Sequence, residues 1–420
     1  MTVKRKNGNR PYTLVNLSYG VLIATIFILA TLSIKLKDFE NYFIEADTWH
    51  SLNNPKEIWD DDTDMKTNTT DTASASPGET SKNNSSKNLL GNTIDNNYNQ
   101  ENAESMTWEP ILQGKKLLEV VWLMSFPNSG TTFTNHLIQG YTNTTTATNY
   151  GQEQSTTQET ISILPGSQDG PFFRYSSWPL PPRYILTKTH CGGECDACQT
   201  PGSNEYINSV EAFEQACCTG KRISNKTKIP TTYSSDIPKK AIHLIRDPFD
   251  NVVARLHLKE RRWERQRNKT KYEERVDMFN RTKDGFLAYC RFRDLKSFKL
   301  EYHQRTLRAK ILELAMKVPC YAEFVSYTRW HNHAIQLVAQ KDIPTMTLFY
   351  EDYALQWNTT VDQLLSFLWL KPAPGAEAEE FILGKHYDEF YSEEQKQAAA
   401  NLIQEIASAE LWELLQRYVS

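Results

Sequence analysis

The sequence of 420 residues has little net charge, no internal repeat and no Walker A loop for binding a nucleoside triphosphate. Its 47 basic and 51 acidic side chains leave a formal charge of −4, which is too small to predict attraction to nucleic acid through bulk charge. No Gly-Lys-Ser/Thr element of the kind that ends a Walker A loop is present, which disfavours ATP or GTP hydrolysis. The content of 39% hydrophobic and 23% charged residues is that of a globular protein.

Charged residues are also missing from residues 11–34, a largely apolar stretch. As a helix it can cross a hydrocarbon core of about 30 Å at ~1.5 Å per residue. A basic cluster at 4–10 precedes it and predicts a cytoplasmic N-terminus. We expect a cytoplasmic tail at 1–13, a single transmembrane signal anchor at 14–34 and a lumenal chain beyond. A cleaved signal peptide is the alternative.

Beyond this stretch, residues 35–107 become rich in Asn, Ser, Thr, Asp and Lys. Such a composition cannot bury enough apolar surface to offset the entropy of ordering, so we expect a disordered stem. The dense hydrophobic pattern that follows predicts a folded lumenal domain at 108–420. Asn-x-Ser/Thr sequons suit a glycosylated surface. They occur at Asn68, Asn83, Asn84, Asn143, Asn225, Asn268, Asn280 and Asn358.

The seven cysteines are unevenly distributed. Five lie within 191–218, whereas Cys290 and Cys320 stand alone. In an oxidising lumen the cluster predicts a disulfide-stapled loop. The odd total leaves at least one thiol free or intermolecular.

Short apolar runs alternate with helical patterns in the predicted domain. The runs are continuous rather than alternating, which predicts a parallel sheet covered on both faces. We therefore expect an α/β fold, a parallel central sheet flanked by helices, with ligands at the carboxyl ends of the strands. The predicted strands cover 117–125, 183–187, 241–246 and 345–350, and the predicted helices cover 131–140, 250–267, 302–318, 325–340 and 393–418.

The loop after the first predicted strand has the composition of a phosphate cradle. Gly130 permits close backbone approach, hydroxyl side chains surround it, and the following helix adds free N–H groups and a partial positive charge. A capped helix with nothing bound is the alternative. The candidate ligand-binding residues are Pro127, Asn128, Ser129, Gly130, Thr131, Thr132 and Phe133.

The second predicted strand ends in Lys188-Thr-His190. A histidine is suited to accept a proton near neutral pH, because its unperturbed pKa is about 6.5. Two alternatives stay open. The three cysteines at 191–198 could join His190 in a zinc site, although their spacing fits no common zinc finger. The histidine could also be purely structural.

The third and fourth predicted strands end in Arg246 and Tyr350. Asp247 can cap the helix that follows Arg246, and Pro248 favours a helix start. Tyr350 precedes two carboxylates, so a core tyrosine followed by a capped helix is an alternative interpretation of that segment.

Taken in order, these four segments resemble the sulfotransferase family. SFPNSGTTF at 125–133 is similar to the family pattern Tyr-Pro-Lys-Ser-Gly-Thr-Thr-Trp, and Lys-Thr-His, Arg-Asp-Pro and Tyr-Glu-Asp follow on the expected strand ends. The resemblance covers 117–420. It implies a P-loop NTPase-like α/β fold and sulfuryl transfer from 3′-phosphoadenosine 5′-phosphosulfate, with no metal.

The resemblance also implies the donor contacts. The loop at 127–133 would grip the 5′-phosphosulfate, with Phe133 beside the adenine. Arg246 would pair with the 3′-phosphate, for which guanidinium geometry is well suited. Tyr350 would be a further donor-site residue near the adenine.

For the chemistry, the resemblance implies that His190 is the general base that takes the acceptor proton. Two positions depart from the family pattern. Asn128 replaces a basic residue that stabilises charge on the leaving phosphate, and Ala254 replaces a serine that bonds the 3′-phosphate. Lys188 could supply the missing charge. A non-catalytic, donor-binding or scaffolding relative is the alternative that these two departures keep open.

The predicted anchor favours a Golgi membrane protein of type II topology that acts on a glycan or a secretory protein. A type II glycosyltransferase shares this layout but would need an Asp-x-Asp metal site, and the acidic run at 60–64 lies in the predicted stem. The basic run at 259–271 is either a solvated helix face or a rim that attracts a polyanionic acceptor. The sequence leaves the acceptor group and the oligomeric state undetermined.

Overall fold

The protein folds around a central sheet. The computed structural model describes residues 111–419, with several gaps. Residues 114–115, 151–159, 163–172, 176–177, 194–208, 225–226, 266–274, 305–307, 377–380 and 382–387 are outside the description. The predicted tail, anchor and stem lie outside the described residues too. Within the described ranges, no helix is long and apolar enough to cross a membrane.

Ten strands are described. They are β1 (Ile111–Gln113), β2 (Lys116–Ser125), β3 (Ala147–Thr148), β4 (Thr160–Ser162), β5 (Phe173–Tyr175), β6 (Tyr184–Thr189), β7 (Thr219–Ser224), β8 (Thr227–Thr232), β9 (Pro238–Ile245) and β10 (Thr345–Phe349).

The described helices carry labels α1 to α10, and two short 3₁₀ turns follow at Asp388–Phe390 and Gln416–Tyr418. The helices are α1 (Thr131–Thr142), α2 (Val210–Cys217), α3 (Pro248–Glu264), α4 (Lys283–Gln304), α5 (Ala309–Ala315), α6 (Tyr321–Gln340), α7 (Asp352–Leu355), α8 (Trp357–Leu368), α9 (Glu393–Ile406) and α10 (Ala409–Leu415).

The main sheet has the strand order β10-β9-β2-β6-β3-β5-β4. From β10 to β3 neighbouring strands are parallel, β5 and β4 add an antiparallel edge, and β1 pairs antiparallel with β2. Strands β7 and β8 form a separate hairpin. The parallel central sheet flanked by helices confirms the predicted fold class.

Burial follows the strand order. In the central strand β2, Val121, Trp122, Leu123 and Met124 are fully buried, as expected for a parallel strand covered on both faces. The prediction of a fourth buried strand was wrong, because β10 lies at the sheet edge with one neighbour and buries only Leu348.

Two predicted helices are interrupted. The predicted helix at 302–318 is instead the end of α4 and all of α5, with Arg308 in an extended conformation before α5. The predicted helix at 393–418 breaks at Ala407, and the Ser408 side chain caps α10 by accepting from Leu411 N at 3.2 Å. Serine is a preferred N-cap residue, so the second break had a signal in the sequence.

Helix α6 is fixed by buried polar contacts at its N-terminal end. Asp294 accepts from the backbone nitrogens of Cys320 and Ala322 at 2.9 and 3.0 Å, and a disulfide joins Cys290 to Cys320. These contacts satisfy N–H groups that a helix end otherwise leaves unpaired. The disulfide and the cap both attach α6 to α4.

A pair of buried histidines joins α6 to the sheet. His243 Nε2 on β9 lies 2.7 Å from His331 Nδ1 on α6. Burial lowers the pKa of His243 to about 4, and burial together with His243 lowers the pKa of His331 as well. The folded protein therefore holds both rings neutral.

This histidine pair predicts that the fold is weakened by acid. In the unfolded chain the His243 side chain has a pKa of about 6.5. In the folded protein burial lowers its pKa to about 4, so it binds a proton only at lower pH. The free energy of unfolding should therefore fall as pH drops through this window, by about 2 kcal/mol between ~pH 7 and ~pH 5. His243→Gln keeps an amide that can reach His331 and should remove this part of the pH dependence, as measured by urea unfolding at the two pH values.

The control is His136→Gln, which replaces an exposed histidine of α1 and serves as the reference for the pH dependence. Asp247 acts in the opposite sense, because burial and neighbouring carboxylates raise its folded pKa to about 7, and it contributes equally to both variants. An unchanged slope in His243→Gln would contradict the assignment.

Candidate active site

The four sequence segments meet at one end of the sheet, where the parallel strands have their carboxyl ends. Strands β2, β6, β9 and β10 are adjacent and parallel, so their carboxyl ends lie side by side. Ser125 ends β2, while His190, Arg246 and Tyr350 directly follow β6, β9 and β10. A parallel α/β sheet places ligand sites at this end.

Backbone conformation and steric contacts restrict which residues can occupy the loop between β2 and α1. Asn128 and Gly130 have φ values of 71° and 101°, the left-handed region that asparagine and glycine adopt most readily. A methyl group on Gly130 would lie 2.1 Å from Tyr350 Cδ2. Only glycine fits there, and the loop backbone lies against the Tyr350 ring just before the N-terminus of α1.

Hydroxyl groups line the loop and differ in exposure. Ser129 and Thr131 are buried, whereas Thr132 is exposed. The Thr131 and Ser125 hydroxyl oxygens are 2.7 Å apart. Thr132 is thus the loop hydroxyl open to solvent at the first turn of α1.

Asn251, which the sequence analysis missed, holds the loop from behind. Its Nδ2 donates to Pro127 O at 3.0 Å and to Ser129 Oγ at 3.1 Å, and its side chain is buried on α3. The available signal was a polar residue in the first turn of the helix after Arg246, where burial could not be inferred.

The two departures from the family pattern contact each other. The Asn128 side-chain nitrogen donates to the carbonyl oxygen of Ala254 on α3, at 3.0 Å. The amide donor at position 128 is therefore directed toward α3. This bond adds to those of Asn251 in attaching the loop to α3.

Aromatic rings surround Phe133 and Tyr350. Phe133 lies 5.0 Å from the Tyr353 ring and 4.8 Å from the Phe381 ring, and Tyr350 lies 5.0 Å from Phe381. Trp357 contacts the same cluster. The rings pack edge to face next to the loop, and both sequence candidates belong to this aromatic cluster.

Arg246 lies between the loop and this aromatic cluster. Its Nη1 donates to Asn128 O at 2.8 Å, and its Cζ lies 4.9 Å from the centre of the Tyr350 ring. Its Nε is buried without a partner among the described residues. An arginine with an unpaired buried N–H is equipped to bind an anion.

Asp247 begins α3 next to Arg246. Its carboxylate accepts from Phe249 N at 2.8 Å and Asp250 N at 3.4 Å, so the predicted cap is confirmed. Burial, followed by the charges of Asp250 and Glu351, raises the pKa of Asp247 to about 7.

Hydrogen bonds to the ring and to the backbone hold His190, among them contacts of Nδ1 with the Ser125 hydroxyl at 3.2 Å and of the carbonyl oxygen with Gly193 N–H at 2.9 Å. Its Nδ1 lies 2.9 Å from Ser125 O, a carbonyl that can only accept, so Nδ1 carries the proton. In the neutral ring, Nε2 then keeps the lone pair. The His190 backbone donates its N–H to the Tyr150 hydroxyl and accepts from Trp330 Nε1 at 2.8 Å. The Nδ1 contact therefore fixes the orientation of the ring.

Lys188 lies on β6, opposite Leu123 of β2 and Thr148 of β3. Because side chains alternate along a strand, it projects from the same face as Tyr184 and Leu186, which pack beside α1. Its side chain is mostly buried.

The cysteines bear on the zinc alternative. Cys191 forms a disulfide with Cys217, so it is not available as a thiolate beside His190. This observation argues against the zinc interpretation. Cys195 and Cys198 lie outside the described residues. Cys218 is the free thiol of the described part of the chain, and burial raises its pKa to about 12.

Arg255 next to Ala254 has a role in packing. Its Nε donates to Glu323 Oε2 at 2.6 Å, and Arg293 Nε donates to Glu323 Oε1 at 2.7 Å. Burial opposes ionisation of Glu323, but the two guanidiniums outweigh it and lower the pKa of that carboxyl. Arg255 therefore joins α3 to α6.

Comparison with known proteins identifies the family of the chain but no individual relative. Neither the curated proteins nor the solved structures contain a match to the chain. The family model for the sulfotransferase domain matches residues 118–417, a range that includes the loop and all four strand ends. The chain therefore belongs to the sulfotransferase family.

Proposed function

We propose that this protein transfers a sulfuryl group from 3′-phosphoadenosine 5′-phosphosulfate to a hydroxyl or amine of a glycan or secretory protein. The observation that carries the proposal is the convergence of three features at the carboxyl ends of the parallel strands: an arginine with an unpaired buried N–H, a loop with Gly130 in the left-handed conformation, and a histidine held by Ser125 O. Family membership supports sulfuryl transfer in general.

The donor has a matching group for each feature of the site. The N-terminus of α1 and the Thr132 hydroxyl would bind the 5′-phosphosulfate. The unpaired Nε of Arg246 would bind the 3′-phosphate. The aromatic cluster that contains Phe133 and Tyr350 would hold the adenine. These are the positions that the resemblance assigns to the same groups.

His190 would act as the general base. Its Nε2 takes the proton from the acceptor hydroxyl or amine, and the acceptor atom attacks sulfur. The bond from sulfur to the 5′-phosphate oxygen breaks, and adenosine 3′,5′-bisphosphate leaves. Ser125 O stabilises the imidazolium through the Nδ1 proton. A positioned base of this kind contributes about 10²–10⁴-fold.

The leaving phosphate develops negative charge, and Asn128 supplies none to balance it. We assign that role to Lys188, which lies on β6 two residues before His190. Because α1 and β6 are fixed elements, they would hold the charge of the Lys188 ammonium group in place without any rearrangement of the site during the reaction.

The setting is inferred from the sequence. The apolar stretch at 14–34, the sequons and the cysteine cluster support a Golgi membrane protein with a lumenal site. A lumenal site favours glycans or secretory proteins over small cytosolic acceptors. The described residues contain no cluster that could hold a metal ion, and the proposed reaction uses none.

One observation favours a second candidate, a donor-binding relative without catalysis. The Asn128 amide nitrogen is bonded to Ala254 O, so it is not directed at a leaving phosphate. Such a relative would bind adenosine 3′,5′-bisphosphate but transfer no sulfur from labelled donor to any acceptor.

Arg246→Ala should weaken binding of adenosine 3′,5′-bisphosphate to the full-length protein by about 10- to 100-fold, because a charge-assisted hydrogen bond is lost. Calorimetry measures the affinity. Arg183→Ala removes an arginine that stacks on Trp369, just before β6 begins, and should bind like wild type. Equal affinity of Arg246→Ala and wild type would overturn the donor assignment.

His190→Asn keeps an amide that can donate to Ser125 O but has no base. It should lower the rate of transfer from labelled donor by about 10²–10⁴-fold, with nucleotide affinity within about twofold of wild type. The assay uses a panel of N-acetylhexosamine oligosaccharides, uronate-containing glycans and tyrosine peptides. A variant that transfers as fast as wild type would exclude His190 as the base.

Lys188→Met should lower kcat by about 10²-fold or more if Lys188 stabilises the leaving phosphate. Lys239→Met is the matched control, since Lys239 is an exposed lysine of β9. The same panel and labelled donor give both rates. An unchanged kcat in Lys188→Met would show that another group balances the charge.

A further inference from the structure

Helix α6 contacts both key strand ends through two side chains. The Tyr327 hydroxyl donates to the Arg246 carbonyl oxygen at 2.5 Å, and Trp330 Nε1 donates to the His190 carbonyl oxygen at 2.8 Å. The two side chains are three residues apart and thus lie on one face of the helix.

The two carbonyls belong to strands that do not touch. Arg246 follows β9 and His190 follows β6, with β2 between them. Two strand spacings separate them by about 10 Å. The loop after β2 contacts the two side chains, through Ser125 O and Asn128 O, whereas α6 contacts the two backbone carbonyls.

The same helix face also supports the phosphate loop. The Phe126 ring, at the start of the loop, lies 5.5 Å from the Tyr327 ring and 6.1 Å from the Trp330 ring, both edge to face. Tyr327, Trp330 and Phe126 are all buried. Without the Tyr327 hydroxyl, the Arg246 carbonyl would lose its side-chain donor away from water, which is costly. The His190 carbonyl also accepts from Gly193 N–H at 2.9 Å, so without Trp330 it would lose one of its two donors.

Other contacts hold α6 in place. Glu323 pairs with Arg255 and Arg293, and Asp294 caps the first turn. The helix is thus fixed through α3 and α4. It can act as a rigid support that sets the strand ends, which is the condition for precise positioning of reacting groups.

We propose that Tyr327 and Trp330 are positioning residues that set the donor site and the base independently. Tyr327 orients Arg246 toward the 3′-phosphate, and Trp330 orients His190 toward the acceptor. The inference rests on the proposed function, and it predicts that the two residues affect different steps.

The test compares Tyr327→Phe and Trp330→Phe in the full-length protein, which keep an aromatic ring and lose the donor. Tyr327→Phe should weaken binding of adenosine 3′,5′-bisphosphate by about five- to tenfold, with little change in kcat at saturating donor. Trp330→Phe should lower kcat by about tenfold or more, with the nucleotide affinity retained. Calorimetry and the labelled-donor panel give the two readouts.

Thr328→Val is the matched control. Thr328 is buried on the same helix, but its hydroxyl donates within the helix, to Phe324 O at 2.8 Å. It should change neither the nucleotide affinity nor kcat. Thermal denaturation compares the folding of all three variants.

A second measurement does not need an acceptor. Nuclear magnetic resonance of ¹⁵N-histidine-labelled protein, assigned by the signal lost in His190→Asn, reports the tautomer of His190. Wild type should show the Nδ1–H form, and Trp330→Phe should show a mixture of both tautomers. Tyr327→Phe should keep the wild-type signal.

The outcomes separate the two proposals. Wild type that neither binds the nucleotide nor transfers sulfur overturns the proposed function. Wild type that binds, with both variants indistinguishable from Thr328→Val, overturns the positioning roles alone. Equal losses of affinity and rate in both variants would also overturn them, because a merely structural role of α6 affects both steps together.

Discussion

The buried carboxylate of Glu323 is the constraint on which the site geometry depends. A charge in the protein interior is costly unless it is paired, and Glu323 is fully buried between Arg255 and Arg293, with a hydrogen bond from Tyr289. Without the carboxylate, the buried Arg255 and the partly buried Arg293 would both lose an ion-pair partner. This pairing therefore fixes α6 against α3 and α4, because any shift of the helix would separate the charges.

A fixed α6 determines where the strand ends lie. One turn beyond Glu323, Tyr327 holds the end of β9, and Trp330 holds the end of β6. On the other side, Asn251 of α3 holds the loop after β2. Backbone groups that the strands cannot pair with one another are thus satisfied by two helices, as buried polar groups must be. The site is assembled by the helices, on positions that the sheet supplies.

The sequence predicted the parts of the fold that local pattern controls. The continuous apolar run of β2 and the Asp247-Pro248 helix start were read correctly, because burial and capping leave a local signature. The edge position of β10 was missed, because strand order depends on tertiary pairing. Asn251 and the contacts of α6 were missed for the same reason, since a single polar or aromatic residue on a helix does not show what it reaches.

Tertiary contacts that the sequence does not show also link the two departures from the family pattern. In the sequence, Asn128 and Ala254 are separate losses, of a charge and of a hydroxyl. In the structure they form one contact, because the Asn128 amide bonds the Ala254 carbonyl. Asparagine also tolerates the left-handed conformation that the loop requires at this position. With asparagine at this position, the Arg246 Nε is buried without a partner among the described residues, and His190 Nδ1 lies against Ser125 O. In the proposed reaction, the change would therefore bear on the stabilisation of the leaving group, and other residues would bind the donor and remove the acceptor proton.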